Sequence, residues 1–240
     1  MTAIADWSSS LAALEGRGFF ILDNVLEDES CQKIIQDFDG RRLRGEFQDA
    51  GVGSSAELKQ KIRKSELIWL DPGKPPRASK IFLNLISDLK DQLNRNLFMG
   101  LKEWEAFYSV YRPGSHYRRH VDNFQGRNNR IVTFILYLNR NWKKENGGQL
   151  RVYWDPSRAL TSPHLDTDKQ CRSSGKSTMD LGLKEESLPC ENGASLKWQE
   201  CFLDVEPVAG RMVVFYAPDL EHEVLPCYSD RYCITGWLRR

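Results

Sequence analysis

The sequence predicts an α+β fold class, in which an all-β core is supported by helices. Three observations lead to this prediction. Apolar residues recur at helical spacing in the first hundred residues. From Trp104 onwards, short runs of branched and aromatic residues are separated by turn signals such as Pro113-Gly114. Many short strands joined by turns are typical of an antiparallel sandwich or barrel, and we expect the helices to pack on it as one unit.

The first predicted helix and the first predicted strand lie at the start of the chain. Residues 3–14 have a helix-compatible composition, and we expect Gly16 and Gly18 to end this helix. The apolar run that follows, residues 19–22, predicts a strand.

Two further helices are predicted before residue 100. Asp28 is expected to cap the first of them, and Gly40 to end it. Its apolar positions fall at helical spacing: Cys31, Ile34, Ile35 and Phe38. Residues 41–64 are polar and rich in both charges, which is typical of a connecting loop or a substrate-facing lid. The last helix carries an apolar residue at every fourth position, namely Ile81, Leu85, Leu89, Leu93 and Leu97.

Strand signals dominate the rest of the chain. Runs of apolar and branched residues predict strands at residues 106–111, 131–138, 149–154, 211–216, 222–225 and 232–238. Residues 155–199 differ, because they are rich in Ser, Thr, Asp, Lys and Gly and only weakly periodic. We therefore expect an insertion that loops out of the β-structure.

Composition argues against several classes of protein. The chain has 34 Lys+Arg against 33 Asp+Glu and a net charge of +1, so no basic field indicates a nucleic-acid partner. The longest strongly apolar run, residues 131–138, is far shorter than the roughly 20 residues of a membrane helix. The N-terminus lacks a secretory signal pattern, so we expect a cytoplasmic protein. The six cysteines form no C-x-x-C pair, and we expect reduced, mostly buried thiols.

One set of residues has the composition of a metal site. His120 and Asp122 are two residues apart and would share one face of a strand. With His222 from another strand they would form the two-histidine, one-carboxylate face that holds non-haem Fe(II). A lone H-x-D pair is common by chance, and His164 and Asp166 repeat the spacing in a stretch without strand pattern, where a loop would hold metal poorly. The alternative for the first set is ordinary surface or half-buried histidines and a turn aspartate.

Arg231 strengthens the metal interpretation, because it lies between two strands with the composition of a core. A ferrous oxygenase needs a reductant that chelates the metal, and a 2-oxo diacid does so through its keto and C1-carboxylate oxygens. Its far carboxylate then needs a cation inside the barrel, and arginine offers a bidentate one. Tyr137, on a predicted facing strand, is placed to add a hydroxyl group.

Several motifs follow one another in a single order. They read Y-R-P-G-S-H-Y-R-R-H-V-D-N, I-V-T-F-I-L-Y-L-N-R-N-W, G-G-Q-L-R-V-Y, H-E-V-L-P and R-Y-C-I-T-G-W. Over nearly the whole chain the sequence resembles the 2-oxoglutarate- and Fe(II)-dependent prolyl 4-hydroxylases. It is most similar to their soluble branch, which includes the hypoxia-inducible-factor prolyl hydroxylases and the bacterial enzymes acting on elongation factor Tu. The early segments G-F-F-I-L-D-N and I-R-K-S-E-L-I-W-L-D-P resemble the N-terminal helical part of that branch.

The resemblance implies a fold and a set of site residues. The fold would be a double-stranded β-helix (jelly roll) supported by N-terminal helices. Residues 1–240 would form a single dioxygenase domain, with a helical support region at 1–100 and the β-helix at 101–240. The implied iron ligands are His120, Asp122 and His222. The implied cosubstrate residues are Arg231, Tyr137, Thr235 and Tyr111, and the implied cleft residues for the target proline are Tyr117, Arg130 and Trp237.

Two features depart from the family pattern. The branch often carries an Arg-Gly-Asp sequence before its tryptophan, whereas this chain has R-K-S-E at residues 63–66. Glu66 is the candidate to replace the missing acidic contact with substrate. The insertion at about 155–199 has no counterpart in the short relatives, and we expect it to be inert.

The resemblance implies a protein prolyl 4-hydroxylase that uses Fe(II), 2-oxoglutarate and O2, with ascorbate as a further cofactor. Its partner would be a protein with a target proline, such as elongation factor Tu or an oxygen-sensing protein, and the enzyme would act as a monomer without nucleic acid or membrane. Two alternatives stay open: an oxygenase for another residue or a small molecule, and a catalytically silent binding module. A cupin-type zinc or manganese enzyme would leave Arg231 and Tyr137 unexplained.

Overall fold

The computed structural model describes residues 7–49, 65–74, 76–122, 129–154, 179–187 and 197–240. Within these ranges the chain forms three α-helices and twelve strands. The helices are α1 (Trp7–Arg17), α2 (Asp28–Leu43) and α3 (Lys80–Leu97). The strands are β1 (Phe19–Leu22), β2 (Gln48–Asp49), β3 (Glu66–Trp69), β4 (Glu103–Tyr111), β5 (Tyr117–His120), β6 (Arg130–Tyr137), β7 (Leu150–Trp154), β8 (Met179–Ser187), β9 (Lys197–Val205), β10 (Met212–Tyr216), β11 (His222–Val224) and β12 (Arg231–Arg239).

The strands form two antiparallel sheets whose inner faces pack against each other. The seven-stranded sheet has the order β1-β10-β6-β12-β4-β3-β2, and the five-stranded sheet has the order β5-β11-β7-β9-β8. One apolar cluster joins them, with Tyr137 and Phe215 from the first sheet and Leu150 and Val224 from the second. Two antiparallel sheets around one interior are the architecture of a jelly roll, so the predicted fold class is confirmed.

The central strands of the seven-stranded sheet are buried on both faces. Successive residues of a strand point to opposite sides. In β6, therefore, Ile135 and Tyr137 join the inner cluster, whereas Phe134 and Leu136 join the outer cluster with the helices. Strands buried on both faces carry continuous apolar runs instead of alternating ones. This explains why residues 131–138 are apolar almost throughout, with Thr133 as the exception.

The helices cover the outer face of the seven-stranded sheet. In α3 the buried residues form a stripe of Phe82, Leu85, Ile86, Leu89 and Leu93. Ile81 is 39% exposed, so the predicted stripe is wrong at its first position. A spacing of four residues drifts around a helix of 3.6 residues per turn, and Phe82 and Ile86 take over the buried face. Among the described residues, no helix is both long and apolar enough to cross a bilayer.

Two predicted helix ends differ from the structure. Helix α1 continues through Gly16 to Arg17, and Gly18, with φ of 85°, ends it. Helix α2 passes Gly40 and ends at Leu43, because Gly40 does not adopt the left-handed backbone that ends a helix. Asp28 is the first residue of α2 and not its cap. Its carboxylate there suits the positive end of the helix dipole. Residues 3–6 lie outside the described ranges.

The two expected loops contain regular structure. Within residues 41–64, Gln48–Asp49 forms β2 and pairs with β3, while residues 50–64 lie outside the described ranges. Within residues 155–199, the expectation of an insertion that only loops out is wrong. Strand β9 pairs with β7 and β8 pairs with β9, so both extend the five-stranded sheet. These strands have weak periodicity, so the sequence did not predict them. Strand β9 depends on pairing with the distant β7, and β8 on pairing with β9.

Gly236 tests the packing between the central strands. A Cβ at this position would lie 2.3 Å from Cζ of Phe134 on the neighbouring strand and 2.5 Å from the backbone oxygen of Glu105. We expect Gly236→Ala to lower the free energy of unfolding by about 1–3 kcal/mol, because the core must shift to admit the methyl group. Thermal or denaturant unfolding measures the change.

Gly40 provides the control for this substitution. It lies inside α2, where a Cβ would meet only Nη1 of Arg44 at 3.5 Å. We expect Gly40→Ala to raise the free energy of unfolding by about 0.5–1 kcal/mol, because alanine loses less backbone entropy on folding. Equal effects of the two substitutions would contradict the packing described for the central strands.

Candidate metal centre and adjoining pocket

Strands β5 and β11 bring two histidines together. His120 ends β5, His222 begins β11, and the two residues are directly paired between the strands. Their ring centroids are 4.3 Å apart. Asp122 lies beyond β5, so the prediction that His120 and Asp122 share a strand is wrong, because the strand ends at His120, two residues before Asp122. The expected three side chains nevertheless meet.

The ligand atoms of these three residues are near enough to share one cation. Oδ1 of Asp122 lies 3.5 Å from Nε2 of His120, and Oδ2 lies 3.8 Å from Nε2 of His222. All candidate ligand atoms lie within 4.8 Å of one another. Bonds of about 2 Å to a shared ion are compatible with these separations. Two imidazoles and one carboxylate are the donors that suit non-haem iron.

Backbone carbonyls orient both imidazole rings. Nδ1 of His120 lies 2.7 Å from the backbone oxygen of Arg118, and Nδ1 of His222 lies 3.0 Å from that of Leu220. A carbonyl only accepts hydrogen bonds, so each Nδ1 carries a proton, and in the neutral ring Nε2 is the atom with the free lone pair. Nε2 of His120 is buried without a hydrogen-bond partner among the described residues. A metal ion is the partner that this arrangement fits.

Burial and neighbouring charges set the protonation of the cluster. Burial lowers the pKa of His222 to about 4, which keeps the ring neutral near pH 7. Burial alone would raise the pKa of Asp122. The imidazoles of His222 and His120 and a hydrogen bond from Thr133 together hold that pKa below its usual range. Neutral imidazoles beside an ionised carboxylate are the protonation states that metal binding requires.

The Thr133 hydroxyl is a site feature that we did not predict. Its Oγ1 donates to Oδ2 of Asp122 at 2.8 Å, and both residues are buried. A signal for it exists in the sequence. Thr133, Ile135 and Tyr137 alternate along β6, so they share the inner face on which we expected Tyr137.

Arg231 is a buried cation with no carboxylate partner among the described residues. The residue is 1% exposed. Its Nη2 donates to the Tyr137 hydroxyl at 3.4 Å, and its Nη1 donates to Sγ of Cys233 at 3.5 Å. The guanidinium lies 4.9 Å from the ring centroids of both Tyr111 and Tyr137. Nε has no hydrogen-bond partner within the described ranges. Burying an unpaired charge is costly, so this site fits an anionic ligand.

A single cavity joins the His/Asp cluster to Arg231. Its empty volume, together with the space that opens to solvent, is about 390 Å³. Its lining residues are Phe107, Tyr111, Tyr117, His120, Asp122, Ile135, Leu150, His222, Val224, Arg231, Thr235 and Trp237. The structure thus brings Tyr111 and Thr235 to the same pocket as the three candidate ligands.

Two of the predicted cleft residues line the cavity, and a third supports it. The Tyr117 ring stacks on His120 with 3.6 Å between ring centroids. Trp237 lines the cavity, and Arg130 lies over its indole at 3.6 Å from the ring centroid. Nε of Arg130 also donates to Glu105 at 2.6 Å. Arg130 therefore contacts Trp237 from outside the cavity lining.

The structure does not bring Glu66 to the cavity. Its carboxylate lies 3.0 Å from Nε of Arg112 and 3.7 Å from Nε of Arg42. Two arginines therefore already neutralise the charge that was expected to contact substrate. His164 and Asp166 lie outside the described residues.

A jelly roll that encloses a His/Asp/His cluster is typical of a mononuclear non-haem metal enzyme. The chain belongs to the 2OG-Fe(II) oxygenase superfamily, whose sequence pattern matches residues 106–239. This family uses Fe(II), 2-oxoglutarate and O2. The residues present fit these groups. Among the residues that the structure describes, Nε2 of His120 and Nε of Arg231 are buried without a hydrogen-bond partner, and the Arg231 guanidinium has no carboxylate beside it.

Similar proteins agree with the family assignment. Egl nine homolog 1 from Mus musculus is 27% identical over 230 residues, which cover 92% of this chain and 46% of that protein. The chain thus spans about half the length of the first curated relatives that it matches. Prolyl hydroxylase EGLN3 from Homo sapiens is 25% identical, over 92% of this chain and 77% of that one.

Solved structures agree as well. A prolyl-4-hydroxylase from Pseudomonas putida superimposes with a TM-score of 0.70 at 28% identity, covering 97% of this chain and 98% of that one. A prolyl hydroxylase from Trichoplax adhaerens, in complex with a hypoxia inducible factor peptide fragment, gives a TM-score of 0.65 at 24% identity, covering 96% and 87%. The family resemblance stated from the sequence motifs is confirmed.

Thr133 is testable as a residue that orients Asp122. We expect Thr133→Val to weaken Mn(II) binding by about tenfold or more, because Asp122 loses the hydroxyl that fixes its carboxylate. Calorimetry on the metal-free chain, under anaerobic conditions, measures the affinity. Thr133→Ser keeps the hydroxyl and should bind Mn(II) as the original chain does. Wild-type affinity in the valine variant would show that this hydrogen bond does not support metal binding.

Proposed function

We propose that this chain is a protein prolyl 4-hydroxylase. It would use Fe(II), 2-oxoglutarate and O2 to hydroxylate C4 of a proline in a protein substrate, forming succinate and CO2. The observation that carries the proposal is the cavity that joins the His/Asp cluster to a buried arginine with no carboxylate partner among the described residues. The names of the similar proteins, which include prolyl hydroxylases from animals and from a bacterium, support proline as the target.

In this proposal the metal is held by His120, Asp122 and His222. One carboxylate and two neutral imidazoles leave one positive charge on a divalent ion, and that charge attracts an anionic chelator. Fe(II) with its cosubstrate, when bound, supplies the oxidising chemistry that inserts an oxygen atom into a C–H bond. The contribution of the chain is to hold the reacting groups in place in a cavity with largely apolar walls.

Arg231 and Tyr137 would hold the far carboxylate of 2-oxoglutarate. The guanidinium keeps its charge at any physiological pH, and the Tyr137 hydroxyl, 3.4 Å away, is positioned to hydrogen-bond to the same carboxylate. Thr235 and Tyr111 line the same cavity and would complete the cosubstrate contacts. This end of the cavity would thus select a diacid over a monoacid.

Tyr117 and Trp237 would receive the target proline. Both line the cavity next to the candidate metal ligands, and their rings give an apolar surface for the pyrrolidine ring. Arg130 would hold the indole of Trp237 in place through the contact on its face. The Glu66 carboxylate, which is paired with Arg112 and Arg42, would not contact the substrate. It would only stabilise the position of strand β3 through these ion pairs.

Residues 1–240 would act as one dioxygenase domain, with the support region at 1–100 and the β-region at 101–240. In support, β1 from the first region pairs with β10 from the second, and β3 pairs with β4. Action as a monomer in the cytoplasm, use of ascorbate, and elongation factor Tu or an oxygen-sensing protein as substrate are further parts of the proposal. Light scattering would test the monomeric state, and the capture of substrates with an inactive variant would test the identity of the protein substrate.

Peptide mass spectrometry tests the proposed reaction. The purified chain, Fe(II), 2-oxoglutarate and air should add one oxygen atom to proline residues of a protein in a cell extract. The addition should disappear when 2-oxoglutarate is omitted and in the Asp122→Ala variant. Oxygen added to a different residue type would show an oxygenase with another target. A folded chain that does not bind 2-oxoglutarate would favour a silent binding module.

Arg231 is testable by a change that keeps its charge. We expect Arg231→Lys to raise the Kd of 2-oxoglutarate for the Mn(II)-loaded chain by about tenfold or more, because lysine lacks the planar pair of donors. Anaerobic calorimetry gives this value. The affinity for Mn(II) alone serves as the control and should not change, because Arg231 is outside the ligand cluster. An unchanged Kd for 2-oxoglutarate would contradict the role given to Arg231.

A further inference from the structure

The inner face of the seven-stranded sheet carries a row of three polar side chains next to Arg231. Strand β12 lies between β4 and β6. Cys233 of β12 pairs directly with Tyr137 of β6 on one side and with Ser109 of β4 on the other. Directly paired residues on neighbouring antiparallel strands point to the same face, with Cβ atoms about 4.5–5.5 Å apart. Tyr137, Cys233 and Ser109 therefore form one row across three strands, which we call the polar row.

The Arg231 guanidinium lies against two members of the polar row. Arg231 precedes Cys233 by two residues on β12 and so shares its face. Its two terminal nitrogens donate to the Tyr137 hydroxyl at 3.4 Å and to Sγ of Cys233 at 3.5 Å. The polar row therefore lies where the far carboxylate of a diacid bound to Arg231 would end.

Ser109 is the member of the polar row without a partner. The residue is 0% exposed, and its Oγ makes no hydrogen bond with any described residue. It alternates along β4 with Phe107 and Tyr111, which both line the cavity, so Ser109 faces the same interior. A buried hydroxyl without a hydrogen bond is costly and calls for an explanation, such as a ligand or an ordered water.

Buried polar atoms without a hydrogen-bond partner are concentrated around the cavity, which supports the interpretation that a ligand binds there. Among the described residues, seven buried side-chain nitrogen and oxygen atoms lack a partner. Four of the seven belong to residues that line the cavity or share its face, namely Ser109, His120, Arg231 and Trp237. The proposed metal and diacid account for His120 and Arg231, and the proposed substrate cleft contains Trp237. Of these four atoms, the Ser109 hydroxyl and the Trp237 indole nitrogen are left without a proposed partner. Ser109 is the one whose directly paired residue, Cys233, contacts Arg231.

We propose that Ser109 is a further cosubstrate-binding residue. Its hydroxyl donates to the far carboxylate of 2-oxoglutarate, directly or through one ordered water, as a third donor beside Arg231 and Tyr137. This inference rests on the proposed function, because it requires that a 2-oxo diacid occupies the cavity. Beyond the proposed function, it assigns to strand β4 a hydroxyl group, that of Ser109, which helps to recognise the diacid.

The test compares two ligands that differ only in the far carboxylate. These are 2-oxoglutarate and 2-oxopentanoate, a 2-oxo acid with the same five-carbon chain that ends in a methyl group. Anaerobic calorimetry on the Mn(II)-loaded chain measures both affinities. We expect Ser109→Ala to lower the affinity for 2-oxoglutarate by about tenfold, because a hydrogen bond to a charged group is lost. The affinity for 2-oxopentanoate should stay within experimental error.

Two further variants control the comparison. Ser79→Ala removes a buried hydroxyl that donates to the backbone oxygen of Pro76 at 2.7 Å and does not line the cavity. It should change neither affinity. Ser109→Cys keeps a side chain of similar size with a weaker donor. The Ser109→Cys variant should have a lower affinity for 2-oxoglutarate and an unchanged affinity for 2-oxopentanoate, and its loss should be smaller than that of Ser109→Ala. If the alanine variant does not fold, the cysteine variant takes its place in the comparison.

The outcomes separate this inference from the proposed function. An original chain that binds both ligands equally, or neither, would overturn the proposed function itself. An original chain that prefers 2-oxoglutarate, together with a Ser109→Ala variant that has unchanged affinities, would overturn only the role of Ser109. An equal loss of affinity for both ligands in the Ser109→Ala variant would also overturn the role of Ser109, because it would show that Ser109 only supports the shape of the pocket. We expect the affinity for 2-oxoglutarate alone to fall.

Discussion

The Arg231 guanidinium is buried with no carboxylate beside it in the described part of the chain, and the rest of the site depends on this constraint. A cation that is 1% exposed must be compensated from within the protein or by a ligand. The faces of Tyr111 and Tyr137 and the Cys233 sulfur supply part of the compensation, since each offers only a partial charge. The full compensation requires an anion, and the cavity that reaches from Arg231 to the His/Asp cluster is the space that can hold it.

The seven-stranded sheet separates the requirements of stability from those of chemistry. Its outer face binds the helices through large apolar residues such as Phe134, which contacts Phe82 of α3 with 5.8 Å between ring centroids. Its inner face carries polar groups that would destabilise an ordinary core, among them Thr133 and Ser109. Helix packing on one side therefore supports strands rigid enough to hold a site on the other. The five-stranded sheet closes the cavity and contributes both histidines.

Local patterns predicted most of the elements, and long-range pairing determined the rest. Strand β6 was evident from the sequence because a doubly buried strand is a continuous apolar run, whereas β8 and β9 depend on partners that their composition does not show. Gly40 was misread as a helix end because residue type alone does not give the backbone angle. The candidate metal ligands were predictable from residue types and order, but the Thr133 hydrogen bond and the place of Ser109 depend on strand register. Alternation from Tyr137 would have predicted the face of Thr133.

In the proposed site, one ion and one 2-oxo diacid occupy the same cavity together. Visible absorption of the chain with Fe(II) and 2-oxoglutarate, without oxygen, detects this arrangement, because a 2-oxo acid that chelates ferrous iron gives a weak charge-transfer band. We expect the band only when both components are present, and we expect it to be lost when His222 is replaced by alanine. A folded, Fe(II)-loaded chain that shows no band at saturating 2-oxoglutarate would mean that the ion and the diacid do not share this cavity.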